Sequence, residues 1–405
     1  MASSTLQSAG IARYTIWAAR LVVFAAFFDL FVQFPTIAPY AESLGASAAL
    51  VGVIVAAYSF TNLFGNLGAG YVLDRWGRRT PMLLGMAITV IAVFSYSLVQ
   101  TPEQMMAARA VHGIGAAVLA PGAFSIIGDR TAADRWGHAM GITGALIAVA
   151  ALIGPPAAGI LRDVWGANVV FYVDSAFIVI TLIAFLLIAR DGSPSVSDGE
   201  SDPHDATGGD DARRNPALWS AYAAAFAITV GIGALVTHLP LMLEEQGETA
   251  ARSGYSFGIY ALVAMLVMAS PISRAGDRYG RFGPMMLGLV GIAIGLALLG
   301  VLEGYGGVVT GMAVFGLGYG LVFPAATALV ASATGADRRG MAFGVFYAVY
   351  SFGVVVGASG SGRLASFSDD LIGLPFLVGA AVVLAAVPLV AIMRYAAAKS
   401  PSPGT

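Results

Sequence analysis

Aligned against itself with an offset of 203 residues, the chain repeats. Asp74, Arg75, Gly77, Arg78, Pro81, Met82 and Gly85 fall on Asp277, Arg278, Gly280, Arg281, Pro284, Met285 and Gly288. The same offset carries Gly113, Gly115 and Pro121 onto Gly316, Gly318 and Pro324, and Asp134, Arg135, Gly137 and Gly141 onto Asp337, Arg338, Gly340 and Gly344. Gly154 and Gly159 then meet Gly357 and Gly362. A register held over roughly 90 residues marks a duplication. The shared residues are mostly glycines, prolines and loop charges, which fix backbone geometry rather than fill space. The chain must therefore build one fold twice.

What each copy is made of follows from hydropathy. Hydrophobic residues are 58% of the chain and charged residues 11%, against about 25% charged in soluble domains. Apolar stretches of about 20 residues recur, long enough to cross a hydrocarbon core of about 30 Å. A soluble fold of this composition needs a core larger than 405 residues can surround. Twelve spans are expected, at about 14–38, 50–73, 81–100, 104–126, 138–161, 168–190, 217–240, 254–275, 283–302, 306–332, 340–362 and 372–395. Six lie on each side of 191–215. The expectation is an all-α membrane protein of 12 transmembrane helices in two pseudo-symmetric six-helix bundles, residues 1–190 and 216–405, joined by a linker over 191–215.

Arginine and lysine placement sets the orientation. With a cytoplasmic N-terminus, Arg162, Arg252 and Arg363 are external and Arg109 lies within span 4; the other cationic residues are internal or at internal helix ends. This bias puts both termini in the cytoplasm. Arg13 and Arg20 precede a long apolar segment, and no A-x-A site follows a short one, so no cleaved signal is expected. The stretch Asp191–Asp211 holds seven acids and neither Lys nor Arg. It is expected to be a solvated, flexible cytoplasmic linker, with a partner-binding role as the alternative.

The turn between spans 2 and 3 reads Gly70-Tyr-Val-Leu-Asp74-Arg75-Trp-Gly77-Arg78-Arg79. Gly77 permits a tight turn, and Arg75, Arg78 and Arg79 suit an anionic inner leaflet. This turn resembles the signature loop of the major facilitator superfamily, G-x-x-x-D-R-x-G-R-R/K. Its second copy, around Asp277, Arg278, Gly280 and Arg281, lacks the leading glycine. The resemblance implies a gate in which Asp74 helps latch the halves during the conformational cycle; topology anchoring alone is the alternative.

Arg109-Ala-Val-His112-Gly113-Ile-Gly115 in span 4 resembles that family's R-x-x-x-G-x-G motif. The second copy keeps both glycines as Gly316 and Gly318 but has Met312 in place of the arginine. The glycines thus serve helix packing, while Arg109 serves something only the first half needs. An arginine that snorkels to the interface is the alternative. Asp29 in span 1 is the expected partner, at an axial offset of about 6 Å. A carboxylate tuned by a neighbouring arginine and by hydration can take up and release a proton. Asp29 is therefore expected to bind the proton and Arg109 to tune it. His112, one turn on, suits either proton relay or plain hydrogen bonding. Asp174 in span 6 and His238 in span 7 rank behind these.

Span 5 carries Gly141, Ala150, Gly154, Pro155, Pro156, Ala158 and Gly159. It resembles the antiporter signature G-x8-G-x3-G-P-x2-G-G, with alanine at two glycine positions; generic glycine-mediated packing is the alternative. A solute cavity is expected near the membrane midplane between the halves, lined by Gln33, Tyr58, Asn62, Tyr260, Tyr319 and Tyr347.

Other functions lack their chemistry. Gly113-Ile-Gly115 is not followed by the last glycine of a dinucleotide loop, and no phosphate-binding G-x-x-x-x-G-K-[ST] loop occurs. Histidines 112, 138, 204 and 238 lack metal-site spacing, there is no cysteine, and no basic stripe suits nucleic acid. No enzyme, no cofactor and no metal is expected. The expected function is a monomeric, multi-pass secondary transporter of the cell membrane that exports a small organic solute in exchange for protons. Its alternatives are a proton-coupled symporter importing a sugar or organic acid, and a non-transporting sensor on the same fold.

Overall fold

The computed structural model describes residues 2–132, 135–189, 215–271, 280–334, 339–367 and 373–399. Most of the expected linker, at 190–214, lies outside them, as do Asp134, Asp277, Arg278, Asp337 and Arg338. Helices carry the described residues: α1 (Ala2–Val32), α2 (Ile37–Ser43), α3 (Ala48–Arg75), α4 (Arg79–Ser95), α5 (Pro102–Ala116), α6 (Leu119–Asp129), α7 (Trp136–Trp165), α8 (Ala167–Ile188), α9 (Pro216–Glu245), α10 (Ala250–Ala269), α11 (Phe282–Val301), α12 (Gly304–Ala333), α13 (Arg339–Ala365) and α14 (Leu374–Lys399).

Among the described residues, eleven stretches are long and apolar enough to cross a membrane, and α4 is a shorter apolar helix. Together they correspond to the twelve expected spans; the third, expected to residue 100, ends at Ser95, the eighth runs over Ala250–Ala269, and the first and fourth are interrupted. The first span, expected to reach residue 38, stops at Val32, because Pro35 has no N–H to continue the helix. A turn over Gln33–Thr36 follows, closed by Phe34 N–H donating to Phe31 O and Thr36 N–H to Gln33 O. The fourth span is divided at 117–118 into α5 and α6. Its counterpart in the second copy, α12, runs unbroken past Pro324.

The chain forms two compact units. One comprises Met1–Gly45, Ala57–Ser201 and Thr249–Tyr255; the other comprises Ala46–Ala56, Asp202–Glu248 and Ser256–Thr405. In the first, α1 packs on α6, α7 and α8, and α4 on α5 and α8. In the second, α9 packs on α13 and α14, and α11 on α12 and α14. α9 is the most enclosed, with Ile228, Leu235, Leu239 and Leu243 fully covered.

The sequence repeat has a geometric counterpart in each unit. Gly77 and Gly280 both have positive φ, 73° and 83°, in the turns before α4 and α11. The next residue is a tethering arginine each time. Arg78 Nε donates to Asp129 Oδ2 (2.5 Å) and its Nη2 to Asp129 Oδ1 (3.2 Å), at the end of α6. Arg281 donates to Ala328 O and Ser332 Oγ near the end of α12. Ser332 stands 203 residues beyond Asp129, so one tether occurs twice with different acceptors. Glycine pairs recur too. A Cβ on Gly85 would lie 2.7 Å from Gly115 O, and one on Gly288 would lie 2.6 Å from Gly318 O. These helices touch backbone to backbone.

Candidate functional site

The break after α1 builds the first unit's polar centre. Asp29 lies in the last turn of α1, and Gln33 begins the turn beyond it. Gln33 Nε2 donates to Asp29 Oδ1 (2.5 Å), while Gln33 Oε1 accepts from Arg109 Nη1 of α5. Asp29 Oδ2 lies 2.9 Å from His112 Nε2, and His112 Nδ1 lies 2.8 Å from the Tyr96 hydroxyl. Neutral His112 accepts from Tyr96 and donates to Asp29; the imidazolium donates to both. The Arg109 guanidinium carbon sits 5.0 Å from the centre of the Tyr58 ring, and that ring lies 4.8 Å from His112. Asp29 is 1% exposed and His112 0%, with Gln33, Arg109 and Tyr58 also buried.

The expected partners Asp29 and Arg109 are brought into one network. Gln33 stands between them and hydrogen-bonds to each, and His112 forms the contact with the second carboxylate oxygen. Gln33 stands one helical turn beyond Asp29, the i,i+4 spacing at which side chains on one face meet. Arg162 Nη1 donates to Pro35 O (3.2 Å), a carbonyl with no helical donor because the residue four further on is Pro39.

The expected cavity residues fall into two groups. Gln33 and Tyr58 belong to the buried network just described, and Asn62 donates to Gly113 O (3.2 Å) and accepts from Asn66. In the second unit, Tyr260 and Tyr319 meet edge to face at 5.4 Å, and Tyr319 stacks on Phe323. Tyr347 packs against Phe346. A cavity of about 10 Å³ borders Asp29, Met86, Thr89 and Thr181.

At the gate-like turn, Gly70 has open space where a side chain would be, and the Asp74 side chain is 80% exposed, 3.7 Å from Arg78. Hydrogen bonding to Asp129 holds the Arg78 guanidinium above its usual pKa, so it is charged at every physiological pH. Arg79 donates to Leu186 O of α8 (2.8 Å). On α7, Gly141 faces open space, Gly154 lies against Phe31 and Val32 of α1, and Gly159 against Ala250 and Ala251. Pro155 and Pro156 lie within α7, where the Pro155 carbonyl faces Gly254.

Two residues of weight were not singled out from the sequence. Tyr96 completes the histidine's hydrogen bonds, but a tyrosine near a span end reads as an interfacial anchor. Asp163 accepts from the N–H groups of Ala250 and Ala251, both at 2.8 Å, and so caps α10. Only the fold brings it to that helix start.

Membrane-crossing helices around a buried acid, histidine and arginine define a polytopic membrane transporter. The family model described as Major Facilitator Superfamily matches residues 21–269 and 254–405, and the chain belongs to that family. It is 23% identical over 377 residues to "Multidrug resistance protein 2" of Bacillus subtilis, covering 92% of this chain and 93% of that protein. It is also 23% identical over 404 residues to "Quinolone resistance protein NorA" of Staphylococcus aureus, covering 93% and 97%. Among solved structures, a POT family transporter in complex with a thioalcohol-conjugated peptide superposes with a TM-score of 0.77 at 14% identity, covering 95% and 96%. The nucleoside transporter NupG gives 0.71 at 17% identity, covering 94% and 99%. At those identities the structures speak for the fold. The protein is a multi-pass transporter of small solutes in the cell membrane, not an enzyme.

Proposed function

We propose that this transporter exports a small organic solute in exchange for protons, by alternating access, as a monomer with both termini in the cytoplasm. The observation that carries the proton is Asp29, closed off from solvent and held between Gln33 and His112. A buried carboxylate in a membrane is costly, and this one has an amide, an imidazole and, through Gln33, a guanidinium to support it. Protonating Asp29 removes the charge that orients all three, so the network relaxes and its helices can shift. Releasing the proton rebuilds the network.

Export rather than import follows the relatives named for multidrug and quinolone resistance. It also agrees with the small-residue face of α7, which brings Gly154 against α1 next to the Asp29 turn. Asp74, Arg78 and Arg79 serve the gate, and the tyrosines Tyr260, Tyr319 and Tyr347 offer aromatic and hydroxyl contacts to an amphipathic solute.

Liposomes loaded with a pH-sensitive dye test this reading, using a quinolone and a lipophilic aromatic cation as probes. Counter-movement of protons with either probe, lost in Asp29→Asn, is the expected result. Co-movement makes the protein a symporter, and normal gradient-driven flux in Asp29→Asn removes Asp29 from coupling.

A further inference from the structure

Asp174 of α8 is the buried acid that this mechanism leaves unused. It is 1% exposed, and neither carboxylate oxygen has a hydrogen-bond partner. Ionised in that position it would be an uncompensated charge inside the membrane, which costs several kcal/mol. As a neutral acid it carries one O–H and loses far less.

α8 packs on α1, α4 and α7. Asp29 and Gln33, on α1 and the turn after it, and Tyr96, at the end of α4, are close enough to act on Asp174 electrostatically. α7 has no ionisable side chain between His138 and Arg162, and Arg162 is turned to Pro35 O. Among these neighbours is a second carboxyl group, that of Asp29.

The two acids sit in contrasting settings. Asp29 accepts hydrogen bonds on both oxygens, the arrangement that suits an anion. Asp174 accepts none, the arrangement that suits the acid. Two facing carboxyls held in such different environments divide acid and base roles between them.

We propose that Asp174 is a second proton-binding residue of the site: its carboxyl holds a proton in this structure and exchanges it with the Asp29 carboxylate. In the exchange, the O–H bond on Asp174 breaks and one forms on Asp29. The first becomes carboxylate, the second becomes acid, and nothing else is consumed. Asp29 then leaves His112 and Gln33, and Asp174, now charged, takes over the demand for their donors. The inference rests on the proton-coupled reading above and adds the store from which Asp29 is supplied.

Infrared difference spectroscopy of the full-length protein in lipid tests it, with pH as the variable and no solute present. Wild type should show the C=O stretch of a protonated carboxylic acid that disappears on alkalinisation. Asp174→Asn should lose this band, Asp29→Asn should keep it, and Asp174→Glu should keep it at a displaced frequency. A band absent from wild type, unchanged in Asp174→Asn or unmoved in Asp174→Glu overturns the proposal. Because no transport is read, the outcome is separate from the liposome result. Failure of antiport with an intact Asp174 band sinks the export reading, and normal antiport without the band sinks this one.

Discussion

His112 Nε2 lies 2.9 Å from Asp29 Oδ2, and the pair is shut away from solvent inside the first unit. The contact serves either as an ion pair or as a neutral hydrogen bond, since the Tyr96 hydroxyl can donate to or accept from Nδ1. The other oxygen of Asp29 is held by Gln33, so the carboxylate has one ionisable and one fixed partner.

Replacing the histidine separates these roles. Glutamine in His112→Gln still offers an N–H to Asp29 but carries no charge at any pH, so gradient-driven flux should persist. His112→Ala strands both Asp29 and Tyr96. Losing a hydrogen bond to a charged group is worth about 1.5–3 kcal/mol, roughly a tenfold or greater loss of flux. Proteoliposome transport at several pH values reads both variants; equal loss in the two would make proton relay by the histidine essential.

Gln33 is expected to matter as much as the charges it joins. In Gln33→Leu, Arg109 and Asp29 each lose a buried partner. Each unsatisfied group costs about 1–3 kcal/mol or more. The apparent unfolding temperature should fall and proton-driven flux should collapse, whereas Gln33→Asn, shorter by one methylene, should lose flux with a smaller thermal penalty. Unchanged stability in Gln33→Leu would mean that the bridge is not carrying the network.

Much of this architecture was legible because membranes restrict the options. Apolar runs and the fixed repeat offset were enough for the helices, and Gly77 with Gly280, or Gly85 with Gly115, kept their meaning as turn and crossing points. The site was legible only in its members. Asp29, Arg109 and His112 stood out as polar groups in apolar spans. Their connectivity runs through Gln33, which meets Asp29 at helical i,i+4 spacing but reaches Arg109 only through tertiary packing. Asp174 ranks behind these three from sequence alone, because its relation to Asp29 is a matter of how α8 packs on α1.

Gly113 tests the packing beneath the site. A Cβ there would collide with the Tyr58 carbonyl and the Thr61 hydroxyl of α3. Thr61 already donates to Ala110 O across the same crossing (2.8 Å). Gly113→Ala must push α5 away from α3, and overpacking of this kind costs about 1–3 kcal/mol. His112 sits next in the chain, so its contact with Asp29 should loosen as well. Lower thermal stability together with reduced proton-driven flux is the expected pair of results; an unaffected protein would show that the crossing gives way at no cost.

The duplicated tether supports a gain-of-stability prediction. Arg78 grips the Asp129 carboxylate through two nitrogens, and both side chains are 31% exposed. At the equivalent place in the second copy, Arg281 meets, among the described residues, the Ser332 hydroxyl and the Ala328 carbonyl. Ser332→Asp supplies the missing carboxylate. A partly exposed pair contributes about 0.2–1 kcal/mol, so the apparent unfolding temperature should rise slightly, and the rise should vanish when Arg281→Ala is added. The converse, Asp129→Ser, should cost a similar amount in the first copy and should do so less at high salt, because ions screen the exposed part of the pair. A Ser332→Asp protein no more stable than its parent, with or without Arg281, would mean that the two turns share a backbone but not an electrostatic design.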